Sequence, residues 1–332
     1  MIAGEALVTG ASGFLGGHLA NRLAAEGQSV RALVRQASDV SRLVDREGIR
    51  IVYGDLDDPE GLRECVEGVS EIYHCAARSS DWGKGEAFRS ANVSGVENLV
   101  ELAMGSEGFR RFLHVSTTDV YGYPRIPGDE SLGVERVGLP YNESKIEGEE
   151  VLWRAFNKFG FPVTILRPAT IYGPYSKSIV KEIYDHLKWR GMLLVDGGES
   201  SAGLVYVDNL VDAAVSASKV PNTVGKAYNI TDDETVSWKR FVGELAGGMG
   251  VKPPFLNVSE NFALRLGGFF EGVWRRLNIS SRPPLTRHAA YLLCRDQQYD
   301  NRLAEQDFGF ASRVSFEEGM RRTVKWLKSE GV

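Results

Sequence analysis

The sequence predicts an α/β fold in which a doubly wound parallel sheet carries helices on both faces. Short apolar runs of β-type residues alternate with amphipathic stretches through the first half of the chain. A glycine-rich turn follows the first of these runs, and polar residues follow several others. Alternation of strand and helix is the signature of a parallel sheet covered on both sides. Ligands bind such sheets beyond the carboxyl ends of the strands, where we expect the site.

The strand and helix elements can be placed by their periodicity. "EALVT" reads as a buried strand, and "FLGGHLANRLAAE" after it has apolar residues at helical spacing. Six strands are predicted in the first half, at 5–9, 29–34, 49–54, 70–77, 109–117 and 161–169. Each of the last two follows a helical stretch, as a parallel crossover requires.

The alternation ends near residue 170, and the rest of the chain predicts a smaller domain. Helices are expected at 208–218, 237–248 and 315–328, with short strands, glycine and proline between them. We therefore assign residues 1–170 to a nucleotide-binding domain, with returning segments near 200–230. Residues 171–332 are assigned to a partly interleaved substrate-binding domain.

Composition excludes several classes of protein. The chain has 332 residues and a net charge of −5 without a Lys/Arg run, which argues against nucleic acid as a partner. Its three cysteines lie far apart and its five histidines show no metal-ligand spacing, so we expect neither disulfides nor a metal. Without a signal segment or a membrane-spanning apolar run, a cytoplasmic protein is predicted.

The turn "VTGASGFLGGHL" carries glycines at three-residue spacing, Gly10, Gly13 and Gly16. Gly10 permits a tight turn, Gly13 lets backbone N–H groups approach a pyrophosphate, and Gly16 lets the helix pack close to the sheet. A glycine turn of this kind also occurs without a ligand. Its position between the first strand and the first helix favours a dinucleotide site of the Rossmann type.

The residues after the second and third strands bear on which dinucleotide binds. An acid after the second strand would hold a ribose diol, but "ALVRQAS" has Arg35 there. A guanidinium can pair with a 2′-phosphate or stack on adenine, so NADP is favoured and NAD stays open. Asp55 in "YGDLDD" is either an acceptor for the adenine amino group or a turn residue.

The stretch "LPYNESKIEGEE" brings a tyrosine and a lysine onto one helical face, Tyr141 and Lys145. A cation beside a phenol favours the ionised phenol, which suits proton transfer, although such pairs are also common on surfaces. Three hydroxyls, Ser116, Thr117 and Thr118, stand where the fifth strand finishes. They either satisfy the strand end or reach into the same site.

Taken together, these motifs resemble the extended short-chain dehydrogenase/reductase family, the NAD(P)-dependent epimerases and dehydratases. The resemblance runs through the GxxGxxG turn, the strand-end hydroxyl and YxxxK. It includes Asn92 in "NVSGVENL", "RPATIYGP" at 167–174 and "VYVDN" at 205–209. The ending "FGFASRVSFEEGMRRTVKWL" is similar to the family's C-terminal segment.

The resemblance implies roles for individual residues. Tyr141 would be the general acid/base, with Lys145 binding the nicotinamide ribose and, with the positive ring, lowering the pKa of the phenol. Thr117 would hydrogen-bond the substrate oxygen, with Thr118 as the alternative, and Asn92 would complete the catalytic set. Implied cofactor contacts are Gly10, Ser12, Gly13, Phe14, Leu15, Gly16, Arg35, Asp55, Leu56, Cys75, Ala76, Ala77, Lys145, Pro168, Ala169 and Thr170.

Within the family, the sequence looks closer to 3β-hydroxysteroid dehydrogenases and dihydroflavonol reductases than to nucleotide-sugar enzymes. "VRALVR" and "RPPLTRHAAYLLCRDQQYD" are similar to the former. Ala202 stands where sugar epimerases carry an arginine, and Thr118-Asp119 replaces the Asp-Glu pair of dehydratases. We expect hydride transfer to or from an apolar secondary alcohol or ketone. Epimerisation of a nucleotide sugar and non-catalytic dinucleotide binding are the alternatives.

Two further expectations concern partners. The apolar, arginine-bearing stretch 259–277 predicts either a helix under the substrate pocket or a lid or peripheral membrane contact. The resemblance implies a twofold homodimer built from segments 86–104 and 142–158.

Overall fold

The computed structural model describes residues 4–331. Seven parallel strands form its main sheet in the order β10-β6-β5-β4-β1-β2-β3. These strands are β1 (Glu5–Thr9), β2 (Val30–Val34), β3 (Ile49–Tyr53), β4 (Val69–His74), β5 (Arg111–Val115), β6 (Val163–Pro168) and β10 (Lys226–Ile230). The predicted doubly wound parallel sheet is confirmed.

The sheet is covered on both faces because its strands are apolar on both sides. In β1, Ala6 and Val8 pack toward α1 (Phe14–Ala25) and α7 (Val207–Lys219). The side chain of Leu7 points to the opposite face of the sheet and packs in a second core there. That alternation follows from the two-residue repeat of a strand. Burial of a side chain such as Leu7 stabilises the fold by about 1.5–3 kcal/mol.

The second set of helices consists of α2, α4 and α5 with the turns that precede α4. The ranges are α2 (Pro59–Val66), α3 (Gly85–Arg89), a π-helical turn (Ser90–Ser94), α4 (Gly95–Met104) and α5 (Pro140–Phe159). A short 3₁₀ turn (Thr118–Tyr121) separates β5 from the approach to α5. The periodicity of the sequence did not predict the π-helical turn, and Asn92 lies within it.

The remaining elements build a smaller region around two two-stranded sheets. Its strands are β7 (Thr170–Tyr172) with β9 (Leu204–Tyr206), and β8 (Leu193–Val195) with β11 (Leu256–Val258). Its helices are α6 (Glu182–Lys188), α8 (Trp238–Met249), α9 (Glu260–Arg276), α10 (Arg287–Cys294), α11 (Arg302–Phe308) and α12 (Phe316–Ser329). A second π-helical turn (Lys177–Lys181) precedes α6.

The sequence-based strand positions agree with the structure to within a few residues, but their ends matter for the site. The fifth strand was predicted to run to residue 117, whereas β5 ends at Val115. Ser116 and Thr117 therefore follow the strand, although the N–H of Ser116 still donates to the carbonyl of Leu166 on β6 at 2.7 Å. Strand β10 was not predicted, although it adds a seventh strand beside β6.

Helix α10 is fixed at its N-terminus by two contacts. Thr286 caps it by accepting a hydrogen bond from the N–H of Ala289 at 3.0 Å. The buried carboxylate of Glu271 on α9 accepts from the backbone N–H and the Nε of Arg287, at 2.7 and 2.9 Å. The backbone of Gly267 lies so close to residue 287 that an added Cβ would be 2.9 Å from its nitrogen. These contacts set where the first turn of α10 points.

Candidate active site

Tyr141 and Lys145 occupy the first turns of α5, which begins at Pro140 after the extended residue Leu139. Lys145 is buried, and its Nζ donates a hydrogen bond to the carbonyl of Val115 at 2.8 Å. The same Nζ is 3.4 Å from Nε2 of His114. The lysine is thus held at the end of β5, one helical turn from the phenol.

The surroundings of Lys145 contain little negative charge. Burial lowers the pKa of Lys145 to about 8, although the nearby Glu149 acts to raise it. His114 and His74 stack beneath it with ring centroids 5.2 Å apart. Burial, together with the charge of Lys145, holds the pKa of both histidines well below the ordinary value. Both rings are therefore neutral near pH 7.

The phenol of Tyr141 has a different environment. Burial raises its pKa, and the carboxylate of Asp119 raises it further, while the nearby hydroxyl of Thr117 acts in the opposite direction. Lys145 does not contribute to this balance. The phenol of the protein alone is therefore neutral, and the lowered pKa implied by the family resemblance remains a prediction for the cofactor complex.

The three hydroxyls after β5 differ in what they contact. Thr117 caps the 3₁₀ turn, with its Oγ1 accepting a hydrogen bond from the N–H of Asp119 at 3.2 Å. Thr118 is fully buried, and its Oγ1 has no partner within residues 4–331. Of the three hydroxyls, only that of Thr117 affects the pKa of Tyr141, which it lowers. Its position favours Thr117 over Thr118 as the hydroxyl beside the phenol.

Asn92 contacts backbone and a neighbouring serine rather than the phenol. Its Oδ1 accepts from the N–H of Arg78 at 2.8 Å, and its Nδ2 donates to Oγ of Ser144 at 2.9 Å. Ser144 in turn donates to the carbonyl of Tyr141 at 2.9 Å. Asn92 therefore joins the loop after β4 to the first turn of α5. This geometry is that of a positioning residue.

The glycine turn has the shape that a diphosphate requires. Gly10 has φ of 65°, and a Cβ on it would lie 2.9 Å from the backbone of Ala76. A Cβ on Gly16 would collide with the carbonyl of Gly10. Helix α1 begins after Gly13 with no capping side chain and no acid in its first turn. Its first N–H groups and its dipole are thus compatible with an anionic group.

Most of the other predicted cofactor residues also follow the carboxyl ends of strands. Cys75, Ala76 and Ala77 follow β4, and burial raises the pKa of the Cys75 thiol to about 12, so it is neutral. Arg35 and Asp55 are exposed after β2 and β3. Ser12, Phe14 and Leu15 belong to the glycine turn, with the Leu15 side chain in the core. Leu56 packs on Gly95, and Pro168, Ala169 and Thr170 connect β6 to β7.

Sequence reasoning missed an arginine that contacts the glycine turn. Nη1 of Arg42 donates to the carbonyl of Gly13 at 3.1 Å, and its guanidinium carbon is 3.7 Å from the ring centroid of Tyr175. Burial lowers the pKa of Arg42, which nonetheless stays charged at neutral pH. Seven residues separate it from Arg35, with no periodic signal to mark it.

Sequence reasoning also missed a group of side chains that surround the phenol of Tyr141. The ring of His288, from α10, stacks on that of Tyr141 with centroids 5.7 Å apart and an interplanar angle of 13°. Nε2 of His288 is 3.0 Å from Oδ2 of Asp119. The ring of Tyr123 is 5.8 Å from that of His288. Tyr123 has φ of 60°, a left-handed conformation that is costly for a bulky residue.

Comparison with known proteins agrees with this geometry. The family model described as "NAD dependent epimerase/dehydratase family" matches residues 6–231. A 2-alkyl-3-oxoalkanoate reductase of Stenotrophomonas maltophilia is 31% identical over 326 residues, covering 95% of this chain and 97% of the relative. The sterol-4-alpha-carboxylate 3-dehydrogenase, decarboxylating, of Mus musculus is 25% identical over 334 residues, covering 97% and 91%.

A solved structure shares the fold at lower identity. UDP-glucuronic acid 4-epimerase from Bacillus cereus, in complex with UDP-glucuronic acid and NAD, superposes with a TM-score of 0.79 at 20% identity. The match covers 98% of this chain and 99% of the epimerase.

The protein thus belongs to the NAD dependent epimerase/dehydratase family, the extended short-chain dehydrogenase/reductases. The resemblance inferred from its motifs is confirmed, including the relation to the 3β-hydroxysteroid dehydrogenase group. Within residues 4–331, no cluster of three or more His, Cys, Asp or Glu side chains could hold a metal ion. Over the same range, none of the helices combines the length and the apolarity that crossing a bilayer demands.

Proposed function

We propose that this protein is an NADP(H)-dependent oxidoreductase that interconverts a 3-oxo acid with an apolar 2-alkyl chain and its 3-hydroxy acid. The observation that carries the proposal is the position of Tyr141 on the first turn of α5, one helical turn before the buried Lys145 that is bonded to the Val115 carbonyl. The relative that reduces 2-alkyl-3-oxoalkanoates covers almost the whole chain, which supports this class of substrate.

In the proposed reaction, the chain orients the carbonyl and moves one proton. The Thr117 hydroxyl and the Tyr141 phenol both donate hydrogen bonds to the carbonyl oxygen. A reduced nicotinamide held by the glycine turn and Lys145 would provide the hydride for the carbonyl carbon. Tyr141 gives its phenolic proton to the oxygen as the alkoxide develops, then regains a proton from solvent. In the reverse direction, the phenolate removes the hydroxyl proton.

Lys145 has two proposed tasks. Its ammonium donates to a ribose hydroxyl while it keeps the bond to the Val115 carbonyl. Its charge also favours the phenolate form of Tyr141 once the cofactor's own positive ring is near. A lysine whose pKa is about 8 is still mostly protonated at neutral pH, so both tasks are open to it.

We propose NADP(H) rather than NAD(H), on the two arginines near the adenosine end of the site. Arg35 is exposed directly after β2, and Arg42 reaches the glycine turn. The guanidinium group of each arginine can donate two hydrogen bonds to a 2′-phosphate. Arg35→Asp should weaken NADPH binding more than tenfold and leave NADH binding nearly unchanged in a fluorescence titration. Equal losses for the two cofactors would contradict the choice of NADP.

The main alternative is epimerisation of a nucleotide sugar, and Ala202 weighs against it. The residue is fully buried next to β9, where the resemblance to sugar epimerases calls for a diphosphate-binding arginine. A small apolar side chain offers a diphosphate no charge. Non-catalytic dinucleotide binding is the other alternative, and the presence of Tyr141 and Lys145 argues against it.

We also propose a homodimer through the segments 86–104 and 142–158. Met104 at the end of α4 is 45% exposed, and the outward face of α5 carries charged residues. Ion pairs within the chain already join these segments, such as Arg89 with Glu147. Sedimentation velocity at micromolar concentration should give the mass of a dimer, and a stable monomer would refute it.

Helix α9 supports a peripheral membrane contact of an otherwise cytoplasmic protein. Its exposed apolar side chains, with one just beyond it, are Phe262, Phe269 and Leu277. Three arginines lie on the same helix, whereas its buried acid Glu271 is paired with Arg287. Such a face suits the surface of an anionic bilayer from which a lipophilic substrate could enter. Flotation with anionic and neutral vesicles measures this contact.

The proposed function is tested by supplying both classes of substrate. NADPH and NADH oxidation is followed at the nicotinamide absorbance with 2-alkyl-3-oxo acids, sterol and flavonoid ketones, and UDP-sugars. We expect turnover with the 3-oxo acids and none with the UDP-sugars. Epimerisation of a UDP-sugar without net change in absorbance would replace the proposal by its alternative.

A further inference from the structure

We propose that His288 forms a subsite for the carboxylate of the substrate, beside the group that exchanges the proton. The inference rests on the proposed oxidoreductase function, since it concerns which alcohol or ketone that site accepts. It assigns a specificity-determining role to a side chain from α10, far from Tyr141 in the chain.

The first support is how firmly the imidazole is placed. Helix α10 is fixed by the Thr286 cap and by the two bonds from Arg287 to Glu271. His288 then lies against Tyr141 at a ring-centroid distance of 5.7 Å. The imidazole is therefore within reach of a substrate whose oxygen contacts the phenol.

The second support is the charge of the ring. Burial disfavours the imidazolium, yet the hydrogen bond and the charge of Asp119 outweigh burial and raise the pKa of His288. Asp119 is itself buried and is 3.0 Å from Nε2. The pair is close to neutral as a whole, so the carboxylate of Asp119 does not by itself exclude an anionic ligand.

The third support is a ring nitrogen left without a partner. A protonated imidazole has two N–H donors, and only Nε2 is used by Asp119. Nδ1 of His288 is buried without a hydrogen-bond partner within the described residues. Buried polar atoms are nearly always satisfied, so the unpaired Nδ1 of the ring held by Asp119 points to a ligand that supplies oxygen.

The arrangement fits a 3-oxo acid better than a simple ketone. In such an acid, one carbon separates the carboxylate from the carbonyl, so both groups can reach neighbouring side chains at once. The carbonyl oxygen would meet Tyr141 and Thr117, and the carboxylate would accept from Nδ1 of His288. A charge-assisted hydrogen bond of this kind is among the stronger polar contacts in a site. The mouse relative is named a sterol-4-alpha-carboxylate 3-dehydrogenase. In a substrate of that name, one carbon likewise separates the carboxylate from the reacting 3-position.

The test compares substrates that differ only in the charge of this group. Stable 2-alkyl-3-hydroxy acids are oxidised in the presence of NADP⁺ beside their methyl esters, and kcat/KM is measured for both. The wild-type protein should prefer the acid. His288→Phe should lose more than tenfold on the acid and much less on the ester, so that the acid-to-ester ratio falls toward one. His288→Gln, which keeps a donor, should lie between the two.

A matched control separates this effect from a general loss of histidine. His186 lies on α6 and its side chain is 38% exposed. His186→Phe should leave the acid-to-ester ratio at the wild-type value, and thermal unfolding should show that all the variants are folded. An acid-to-ester ratio in His288→Phe equal to that of the wild type would overturn the subsite.

A binding measurement tests the subsite even if no turnover is found. Calorimetric titration of the acid and the ester into the protein with bound NADP⁺ needs no reaction. Acid binding that weakens more than tenfold in His288→Phe would support the subsite even if the oxidoreductase proposal failed. Turnover of the ester with no preference for the acid would preserve the proposed function and contradict the subsite.

Discussion

His114 and His288 are both buried beside the Tyr141–Lys145 pair, yet their ring nitrogens have opposite properties. His114 faces Lys145 and a second neutral histidine, and its pKa is lowered by burial and by positive charge. His288 contacts Asp119, whose carboxylate raises its pKa in spite of burial. The Asp119 carboxylate thus separates the two buried imidazoles, because it raises the pKa of His288, whereas no carboxylate acts on His114.

The difference divides the site into two regions with separate tasks. Around Lys145 the protein offers one cation and no close acid except Glu149, as a cofactor ribose beside a positive ring would require. Around His288 it offers a compensated ion pair and an unpaired Nδ1, which would suit an anionic substrate. Tyr141 lies between the two, and we propose that it exchanges its proton with the substrate.

The largest effect should come from the residue that both regions share. Tyr141→Phe removes the proton donor and keeps the ring that stacks on His288. We expect kcat to fall by at least about 10²-fold, the lower figure for general acid–base groups, while NADPH affinity stays near the wild-type value. Steady-state kinetics and fluorescence titration measure the two quantities. A loss of cofactor affinity in parallel with kcat would assign the phenol to binding.

A smaller effect should follow from removing the carboxylate that distinguishes the two histidines. In Asp119→Asn, burial would dominate and the pKa of His288 should fall below its ordinary value of about 6.5. The pKa of His114 should remain low. NMR titration of both rings in the wild type and the variant tests the contrast, and an unchanged His288 pKa would contradict it.

The same variant has a predictable effect on stability. A raised pKa in the folded state means that protonation of His288 stabilises the fold below its unfolded pKa, and that this contribution is lost as the pH rises through the folded pKa. The free energy of unfolding of the wild type should therefore exceed that of Asp119→Asn most at acidic pH. Chemical denaturation across the pH range measures the difference, and a pH-independent gap would count against the ion pair.

The smallest effect should come from the hydroxyl beside the phenol. Thr117→Val removes one neutral hydrogen bond to the substrate oxygen, worth about 0.5–1.5 kcal/mol, so kcat should fall by no more than about tenfold. Thr118→Val is its matched control, because Thr118 has the same chemistry but is fully buried with no role in the pKa of Tyr141. If kcat falls further in Thr118→Val than in Thr117→Val, Thr118 is the residue that contacts the substrate oxygen.

The regions differ in how far the sequence could predict them. The strands and the Tyr141–Lys145 pair follow from local periodicity, since buried parallel strands read as apolar runs and residues four apart share a helical face. The contact of Asp119 with His288 joins a turn after β5 to a helix near the C-terminus, and no local pattern encodes it. "TDVYG" and "TRHAAY" could be noticed as motifs, but their meeting depends on how α9 and α10 pack.

The sequence also could not predict the electrostatic balance of the phenol. The spacing of Tyr141 and Lys145 suggested a cation that lowers the phenol's pKa, yet Nζ is held by the Val115 carbonyl and Asp119 acts on the phenol instead. Both effects depend on burial and on distances across the fold. We therefore expect that Tyr141 ionises at a lower pH only when the cofactor is bound.

The pH profile of alcohol oxidation is the most direct test of proton transfer through Tyr141. In the wild type, kcat/KM for the 3-hydroxy acid should rise with pH along a limb whose apparent pKa is well below the ordinary tyrosine value of about 10. That limb should be absent from the residual activity of Tyr141→Phe. If the variant keeps near-normal turnover with the same limb, the proton passes through another group, and the proposed mechanism is wrong.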